Sequence, residues 1–325
     1  MIKKDRIDID LVINNNPTMV KKWFEGMILF EPQQMRIRKL SKNKRSKYKQ
    51  SKFFNEMEKE ILNEEYIVSC YDQINDIQSS KDYNSKIIKI SAIFDIDIYK
   101  KSEQDIINLI DIIMMDSGIV SNITILNDWF FQNTRDLDNY RIYEKSLEGI
   151  PVKESTRFKD EMIVDVEKLP GYDERIDDIW FGVAWKMWFN KPYYEFISKD
   201  ILENFQDCFE NRKVSSDCIN ITLYEDMEDY DNPKNRELQW KFKDATNFNA
   251  VLEKYRKTGI NRVYDPTHEI KEGDFEHGGI KLTQAYFDAE GNNVHKSQAV
   301  EVRIAEIDKD GKVVWKEKRD ISDNQ

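Results

Sequence analysis

Residues 86–100, KIIKISAIFDIDIYK, carry the strongest strand pattern in the chain. From Phe94 onward, apolar residues alternate with Asp and Tyr, a period of two that is typical of a strand with one buried face. The next residues, from Ser102, carry Ile and Leu at helical spacing up to Gly118, which suits the end of a helix. NITIL at 122–126 predicts the following strand. The region therefore predicts a compact strand–helix–strand unit, with the second strand beside the first.

The chain before this unit carries a similar strand and a strongly basic segment. RIDIDLVI at 6–13 alternates in the same way, and Asn16 before Pro17 suits the start of a helix. Residues 36–52 hold nine Lys and Arg and no acid, which indicates a solvated loop or a hairpin. Residues 1–150 are therefore predicted to form an N-terminal α+β unit that carries the basic insert 36–52.

The central stretch of the chain is DDIWFGVAWKMWFNKPYYEFI at 177–197. Trp180 and Trp188 lie in one i, i+4 row and an equally apolar row follows it, so we predict a core helix. CINITLY at 218–224 predicts a strand after this helix. Residues 151–259 are therefore predicted to form a second, Trp-rich α+β unit.

The chain changes character after residue 259. Residues 260–279 are polar and are predicted to be a linker or long loop. IKLTQAYF, HKSQAVEVRIAEI and VVWKEK follow as three strand patterns joined by Gly-containing turns. Residues 260–325 thus predict a linker and a β-meander. The fold class predicted for the whole chain is α+β, with two mixed α/β units and a C-terminal antiparallel β-meander.

Charge is distributed unevenly along the 325 residues, whose formal net charge is −11. Residues 1–60 hold 15 Lys and Arg against 8 Asp and Glu, a net of +7, and the other 265 residues hold 35 against 53, a net of −18. An anionic body repels nucleic-acid phosphates and attracts cationic partners. We therefore expect a protein partner, and we expect nucleic acid to be disfavoured.

Two further features indicate a cytoplasmic protein. No stretch approaches the ~20 consecutive apolar residues that a membrane span needs, and the first residues lack the apolar core of a secretory signal. Cys70, Cys208 and Cys218 are odd in number and lack the pattern of a disulfide framework. We therefore expect free thiols in the reducing cytoplasm, and no membrane partner.

Two Asp-x-Asp pairs are the first candidates for chemistry. Asp8 with Asp10, and Asp95 with Asp97, are predicted to project from one face of a strand. Carboxylate oxygens placed in this way are able to bind a divalent cation. The same alternation equally fits a solvated sheet face. The pairs leave open an alternative function, a metal-dependent phosphodiester hydrolase that uses strand carboxylates such as Asp95 and Asp97.

A second acidic feature is EDMEDYD at 225–231, ahead of Asn232 and Pro233. It lacks the glycine and the final bidentate glutamate of a calcium loop, so no metal is predicted there. It fits a solvated turn or an acidic patch that faces another protein. The candidate partner-binding residues are Glu225, Asp226, Glu228, Asp229 and Asp231.

No catalytic motif accompanies these acids. His268, His277 and His295 lack the close Cys/His spacing of a zinc site, and neither a P-loop nor a G-x-G-x-x-G motif is present. We therefore predict no catalytic residue, no metal and no cofactor, in a protein that is not an enzyme. The basic segment 36–52, with Tyr48 among its cations, leaves open a third function, an accessory protein that binds nucleic acid or a partner.

A family resemblance joins several of these features. IWFGVAWKMWF, PYYEF and INITLYEDMEDYDNPKNRELQWKF follow one another within residues 177–245. This order of an aromatic helix, a short apolar strand and an acidic tail before an Asn-Pro helix resembles immunity proteins of bacterial polymorphic or contact-delivered toxin systems. The resemblance implies a cytoplasmic, non-catalytic protein that binds and neutralises one cognate protein toxin. Many such toxins are cationic, so the acids of 225–231 are the expected contact surface.

Overall fold

The chain divides into two compact units, Met1–Asn249 and Ala250–Gln325. The structure, a computed structural model, describes residues 5–39, 42–83, 85–155, 161–258, 281–287, 289, 300–307 and 313–320.

The elements of the first unit follow one another as short strands and helices. Its strands are β1 (Arg6–Asn14), β2 (Gln34–Lys39), β3 (Lys42–Lys47), β4 (Tyr66–Tyr71), β5 (Asp76–Lys81), β6 (Ile87–Asp95), β7 (Gly118–Ile125), β8 (Val152–Glu154), β9 (Met162–Val164), β10 (Glu174–Ile176), β11 (Ile179–Phe181), β12 (Lys186–Asn190), β13 (Glu210–Lys213) and β14 (Cys218–Thr222). Its helices are α1 (Pro17–Met27), α2 (Gln50–Glu60), α3 (Ile96–Ser117), α4 (Leu126–Asn133), α5 (Leu137–Ile142), α6 (Lys199–Glu203), α7 (Pro233–Ala245) and α8 (Phe248–Thr258), the last continuing into the second unit. Short 3₁₀ turns lie at Val166–Lys168, Lys191–Glu195 and Met227–Asp229.

Ten strands of the first unit form one sheet in the order β13-β14-β12-β7-β1-β6-β5-β4-β2-β3. Every neighbouring pair in it is antiparallel. β1 lies between β6 and β7, so the prediction that the strand after α3 lies beside β6 is wrong. The reason is that α3 packs across β1 and delivers the chain to its far side.

One face of the sheet packs against α1, α2 and α3. Ile7, Ile9 and Leu11 of β1 are buried on this face, as the alternation of the sequence predicts. Full burial of one such side chain contributes ~1.5–3 kcal/mol to folding. Asn16 caps α1, because its Oδ1 accepts the N–H of Thr18 at 3.1 Å.

The opposite face is covered along β7, β12 and β14 by the chain that follows β7. There Phe189 of β12 stacks on Phe242 of α7, with ring centroids 6.0 Å apart. Farther along the same face, Asp10, Ser91 and Gln78 are register partners on β1, β6 and β5, and each is partly exposed. β1 therefore lies where an apolar layer gives way to a polar, partly exposed sheet face.

The core helix predicted for residues 177–197 is wrong. These residues form β11, β12 and a 3₁₀ turn, and every residue from Ile179 to Asn190 is buried. β12 lies between β7 and β14 with both faces covered. A strand buried on both faces is a continuous apolar run, which contains i, i+4 rows as readily as alternation does.

The sheet also crosses the predicted boundary between residues 1–150 and 151–259. Phe189 of β12 is the register partner of Val120 of β7, so strands from both sides of that boundary are hydrogen-bonded neighbours.

The second unit contains the predicted antiparallel meander, formed by β15 (Lys281–Phe287), β16 (Glu301–Ile307) and β17 (Val313–Asp320). The predicted linker at 260–279 lies outside the described residues. The α+β class and the C-terminal antiparallel strands are confirmed. Within the described part of the chain, no helix combines the length and apolar character needed to cross a membrane.

Candidate functional site

The acidic turn (residues 225–231) connects β14 to α7. Its five acids, the candidate residues Glu225, Asp226, Glu228, Asp229 and Asp231, are all exposed. Between them, Met227 and Tyr230 are buried, with 5% and 8% of their surface accessible. The turn is thus anchored from inside by two large side chains while its carboxylates face outward.

Some of these carboxylates hold the turn itself. Asp226 Oδ1 accepts the N–H of Glu228 at 3.0 Å, and Asp229 Oδ2 accepts from Asn232 Nδ2 at 2.8 Å. Asn232 in turn caps α7 through the N–H of Lys234 at 3.0 Å, which confirms the predicted Asn-Pro helix start.

Basic side chains contact two of the remaining acids, Glu228 and Asp231. Lys100 of α3 pairs with Glu228, and Lys145 lies 3.2 Å from Asp231. Arg236 of α7 reaches Asp231 at 3.0 Å. Glu225 makes no hydrogen bond or ion pair to any residue that the structure describes.

Beneath the turn, Arg236 forms a two-pronged pair with Asp128 of α4. Its Nη2 and Nη1 donate to the two carboxylate oxygens at 2.6 and 3.2 Å. Both side chains are largely buried, with 17% and 6% accessible. Burial raises the pKa of Asp128, and the charge of Arg236 opposes that rise. This pair fixes the base of the acidic turn, since Arg236 also holds Asp231.

The strand assignment behind the Asp95 and Asp97 pair is wrong. β6 ends at Asp95, and Asp97 lies in the first turn of α3. Asp95 is the N-cap of α3, because its Oδ1 accepts the N–H of Asp97 at 2.9 Å. The pair therefore has a structural explanation, and the hydrolase alternative loses the strand geometry on which it was predicted.

Asp8 and Asp10 do lie together on one face of β1, as predicted. Asp10 Oδ2 accepts from Arg175 Nη2 at 2.7 Å. The carboxylate of Asp8 makes no hydrogen bond to a described residue. Burial, and next the charge of Asp10, raise the pKa of Asp8 well above its ordinary value.

Next to these two carboxylates, the sheet and its covering layer enclose a small polar cavity that the sequence did not predict. Its lining residues come from β7, α4, the loop before β10, and β11 with the loop after it, namely Asn122, Thr124, Asp128, Trp129, Gly171, Asp173, Trp180, Val183 and Ala184. Its volume is about 10 Å³, roughly that needed by one water molecule. Trp129, one of the lining residues, is 38% exposed.

Two indole N–H groups hold the carboxylate of Asp173 in place beside the cavity. Trp180 Nε1 donates to Asp173 Oδ2 at 2.6 Å, and Trp129 Nε1 donates to both oxygens at 3.1 and 3.2 Å. Burial raises the pKa of Asp173 to about 6, although the two indole N–H groups and the charge of Arg175 favour the ionised form.

Two polar side chains of β7 also line the cavity. Asn122 and Thr124 are 4% and 8% accessible, and neither side chain hydrogen-bonds to a described residue. Both are register partners of the β1 acids, Asn122 of Asp10 and Thr124 of Asp8, so the four side chains share one sheet face.

The other sequence candidates are placed as follows. The described residues of the basic segment 36–52 belong to β2 and β3, which pair antiparallel at one end of the sheet, and to the start of α2, in agreement with the hairpin alternative. Cys70, Cys208 and Cys218 are free thiols, and burial raises the pKa of Cys218 to about 12. His268, His277 and His295 lie outside the described residues. Among the residues that are described, no group of three or more His, Cys, Asp or Glu is arranged to hold a metal ion.

Comparison with known proteins gives a distant structural similarity. No protein-family model matches the chain, and no curated protein matches it. Among solved structures, a chain described as "Pseudomonas aeruginosa T6SS protein PA0821" is similar, with a TM-score of 0.45 and 10% sequence identity over 75% of this chain and 77% of that chain.

Proposed function

We propose that this chain is a cytoplasmic, non-catalytic immunity protein that neutralises a cognate protein toxin by binding it. The supporting observation is the acidic turn, whose five carboxylates are exposed while Met227, Tyr230 and the Asp128–Arg236 pair fix its base. The resemblance of residues 177–245 to immunity proteins supplies the kind of partner, and the acidic body of the chain supports a cationic one.

A fixed turn suits tight binding for a physical reason. Association costs the entropy of ordering loops and side chains, and a turn that is already ordered avoids much of that cost. Charge pairs that become buried in such an interface couple by ~1.5–7 kcal/mol, whereas pairs left exposed at its rim contribute ~0–1 kcal/mol. The carboxylates that touch the toxin directly therefore determine affinity, and the rest of the anionic surface accelerates encounter.

The test is titration calorimetry of the full chain against the toxin encoded beside it. The test variant is Glu225→Lys with Glu228→Lys, because neither side chain caps the turn or α7. Asp226, Asp229 and Asp231 hold the turn or its neighbours, so their replacement would mix contact with folding. We expect a loss of affinity of tenfold or more.

The matched control is Glu64→Lys with Glu154→Lys. Both acids are exposed and outside the turn, so the change in net charge is the same. An equal loss in the two double variants would mean that only overall charge matters. Unchanged affinity in the test variant would exclude the acidic turn as the contact surface.

A further inference from the structure

The polar cavity contains a carboxylate, that of Asp173, which forms no ion pair with any described residue. Asp111 accepts from Arg212 at 2.9 and 3.1 Å as well as from Trp188 Nε1 at 2.7 Å, and Asp128 likewise has an arginine partner. Asp173 accepts from two indoles only, and no described cation lies within ion-pair distance of it. Indole N–H groups orient a carboxylate but bring no charge to it.

Side chains that are able to accept hydrogen bonds lie around Asp173. Asn122 and Thr124 line the same cavity, and neither side chain hydrogen-bonds to a described residue. Asp10 adds negative potential from the neighbouring strand, and Arg175 offsets part of it. A carboxylate without an ion-pair partner, beside side-chain oxygens that accept hydrogen bonds, favours a ligand that carries both N–H donors and positive charge.

The size of the cavity then limits which cationic group is able to bind. A cavity of about 10 Å³ admits one water-sized group, which an ammonium matches and a planar guanidinium exceeds. An ammonium offers three donors, one each for Asp173, Asn122 and Thr124. The exposed indole of Trp129 provides an apolar and cation-attracting surface for the aliphatic stem behind it.

We propose that this cavity is an anchor site for the ammonium group of a lysine side chain presented by the protein partner. The proposed ammonium site depends only on the cavity, whereas the assignment of the lysine to the toxin rests on the proposed function. The acidic turn and the cavity share Asp128, which pairs with Arg236 beneath the turn and also lines the cavity. The turn and the cavity are therefore connected through one residue.

The first experiment uses n-butylammonium as the probe and the full chain at pH 8, where Asp173 is ionised. The indole N–H signals of Trp129 and Trp180 are followed by NMR at constant ionic strength. We expect saturable shifts of both signals, at least tenfold weaker binding of guanidinium, and no binding of tetramethylammonium, which has no N–H donor. Absence of a saturable shift, or an equal response to tetramethylammonium, would mean that the cavity holds only water.

Two variants and a control locate the site. Thr124→Val keeps the shape of the side chain and removes its oxygen, and should weaken n-butylammonium binding at least threefold. Asp173→Asn should weaken it at least tenfold. Asp111→Asn removes another indole-bonded carboxylate and should leave binding unchanged. If Asp173→Asn does not fold, the Thr124→Val variant still tests the ammonium site. Undiminished binding of n-butylammonium to Thr124→Val would overturn the proposal.

A second experiment separates this proposal from the proposed function. Thr124→Val should weaken binding of the toxin at least threefold. If n-butylammonium binds as expected while toxin affinity is unchanged in Thr124→Val, the assignment of the lysine to the toxin is overturned and the ammonium site stands. If the toxin does not bind the wild-type chain at all, the proposed function fails without affecting the probe experiment.

Discussion

The raised pKa of Asp173, in the cavity, makes the free energy of unfolding depend on pH. Burial raises its pKa to about 6 from an ordinary value of 3.8, with Asp8, Asp10 and Arg175 as its charged neighbours. Between those two pH values the folded chain holds a proton that the unfolded chain has released. The free energy of unfolding due to this group therefore rises as pH falls through that window, and the gain is lost again as pH rises through 6.

The prediction is a pH-dependent difference between the wild type and Asp173→Asn. From pH 7 to pH 4 the wild type should gain on the order of 2–3 kcal/mol relative to the variant, since one pKa unit corresponds to about 1.4 kcal/mol. Urea denaturation at intervals between pH 4 and pH 8 measures this. Asp138→Asn, at an exposed position, controls for the loss of one carboxylate. Parallel stability curves for the wild type and Asp173→Asn would contradict the prediction.

Arg236 is the residue on which the acidic turn depends. Replacing it by Met leaves Asp128 buried without its partner, and we expect the free energy of unfolding to fall by ~3–5 kcal/mol. Arg141→Met breaks a pair with Asp138 in which both side chains are more than 60% exposed, and should cost only ~0–1 kcal/mol. Urea denaturation compares the two. Equal losses in the free energy of unfolding would mean that the Asp128–Arg236 pair does not stabilise the turn.

The two candidate sites differ in what the sequence revealed of them. The acids of 225–231 are adjacent in the chain, so their clustering is visible without a structure. Asn122, Trp129, Asp173 and Trp180 meet only because β7, α4 and the β10–β11 region converge in space. None of them belongs to a local motif, so only the folded structure places them around one cavity.

Among the elements, β12 is a strand that sequence periodicity does not identify. The alternating strands β1 and β6 were predictable because one face of each is apolar and the other polar. All five residues of β12 are buried, including Lys186 and Asn190. Periodicity cannot separate a strand covered on both faces from a buried helix, so only its neighbours β7 and β14 define it.

The strand at 186–190 can be tested in solution. We expect strand-type backbone carbon shifts there, and amide exchange as slow as in β7, because both strands lie inside the sheet with hydrogen-bonded neighbours on each side. The edge strand β3 should exchange at least 100-fold faster. NMR with hydrogen exchange measures both properties, and helical shifts across 177–190 would restore the helix predicted from the sequence.

The start of α3 offers a test that separates capping from metal binding. Asp95→Ala removes the N-cap and should lower the free energy of unfolding by ~0.5–2 kcal/mol, whereas Asp95→Asn keeps a good cap and should cost little. Asp97→Ala should cost ~0.3–1 kcal/mol, because it removes a negative charge from the N-terminus of the helix. Denaturation ranks the three variants. Mg²⁺ or Mn²⁺ binding to the wild type that both Asp95 variants abolish would instead support the hydrolase alternative.

At the scale of the whole molecule, the α+β class followed from the elements but the extent of the sheet did not. Strand patterns specify which segments are extended, and the C-terminal meander is predictable because its three strand patterns are consecutive in the sequence. The pairing of β7 with β12 joins residues about 65 positions apart across a break at Gly149 and Pro151. A break in the chain therefore does not mark the end of a sheet, since antiparallel strands can pair at any sequence distance.

Because the sheet continues across residue 150, a comparison of the fragments 1–150 and 1–258 tests the predicted domain boundary. Ending the chain at residue 150 removes β12 and β14 and leaves β7, whose eight residues are all buried in the intact sheet, as an open apolar edge. Exposed strand edges of this kind pair with other chains. We expect 1–150 to aggregate or to bind a hydrophobic dye, and 1–258 to be monomeric and to unfold in one cooperative transition. Size-exclusion chromatography with light scattering, dye fluorescence and urea denaturation measure this against the full chain. A monomeric, cooperatively folded 1–150 would mean that β7 is stable as an edge and that the boundary near residue 150 is a true domain boundary.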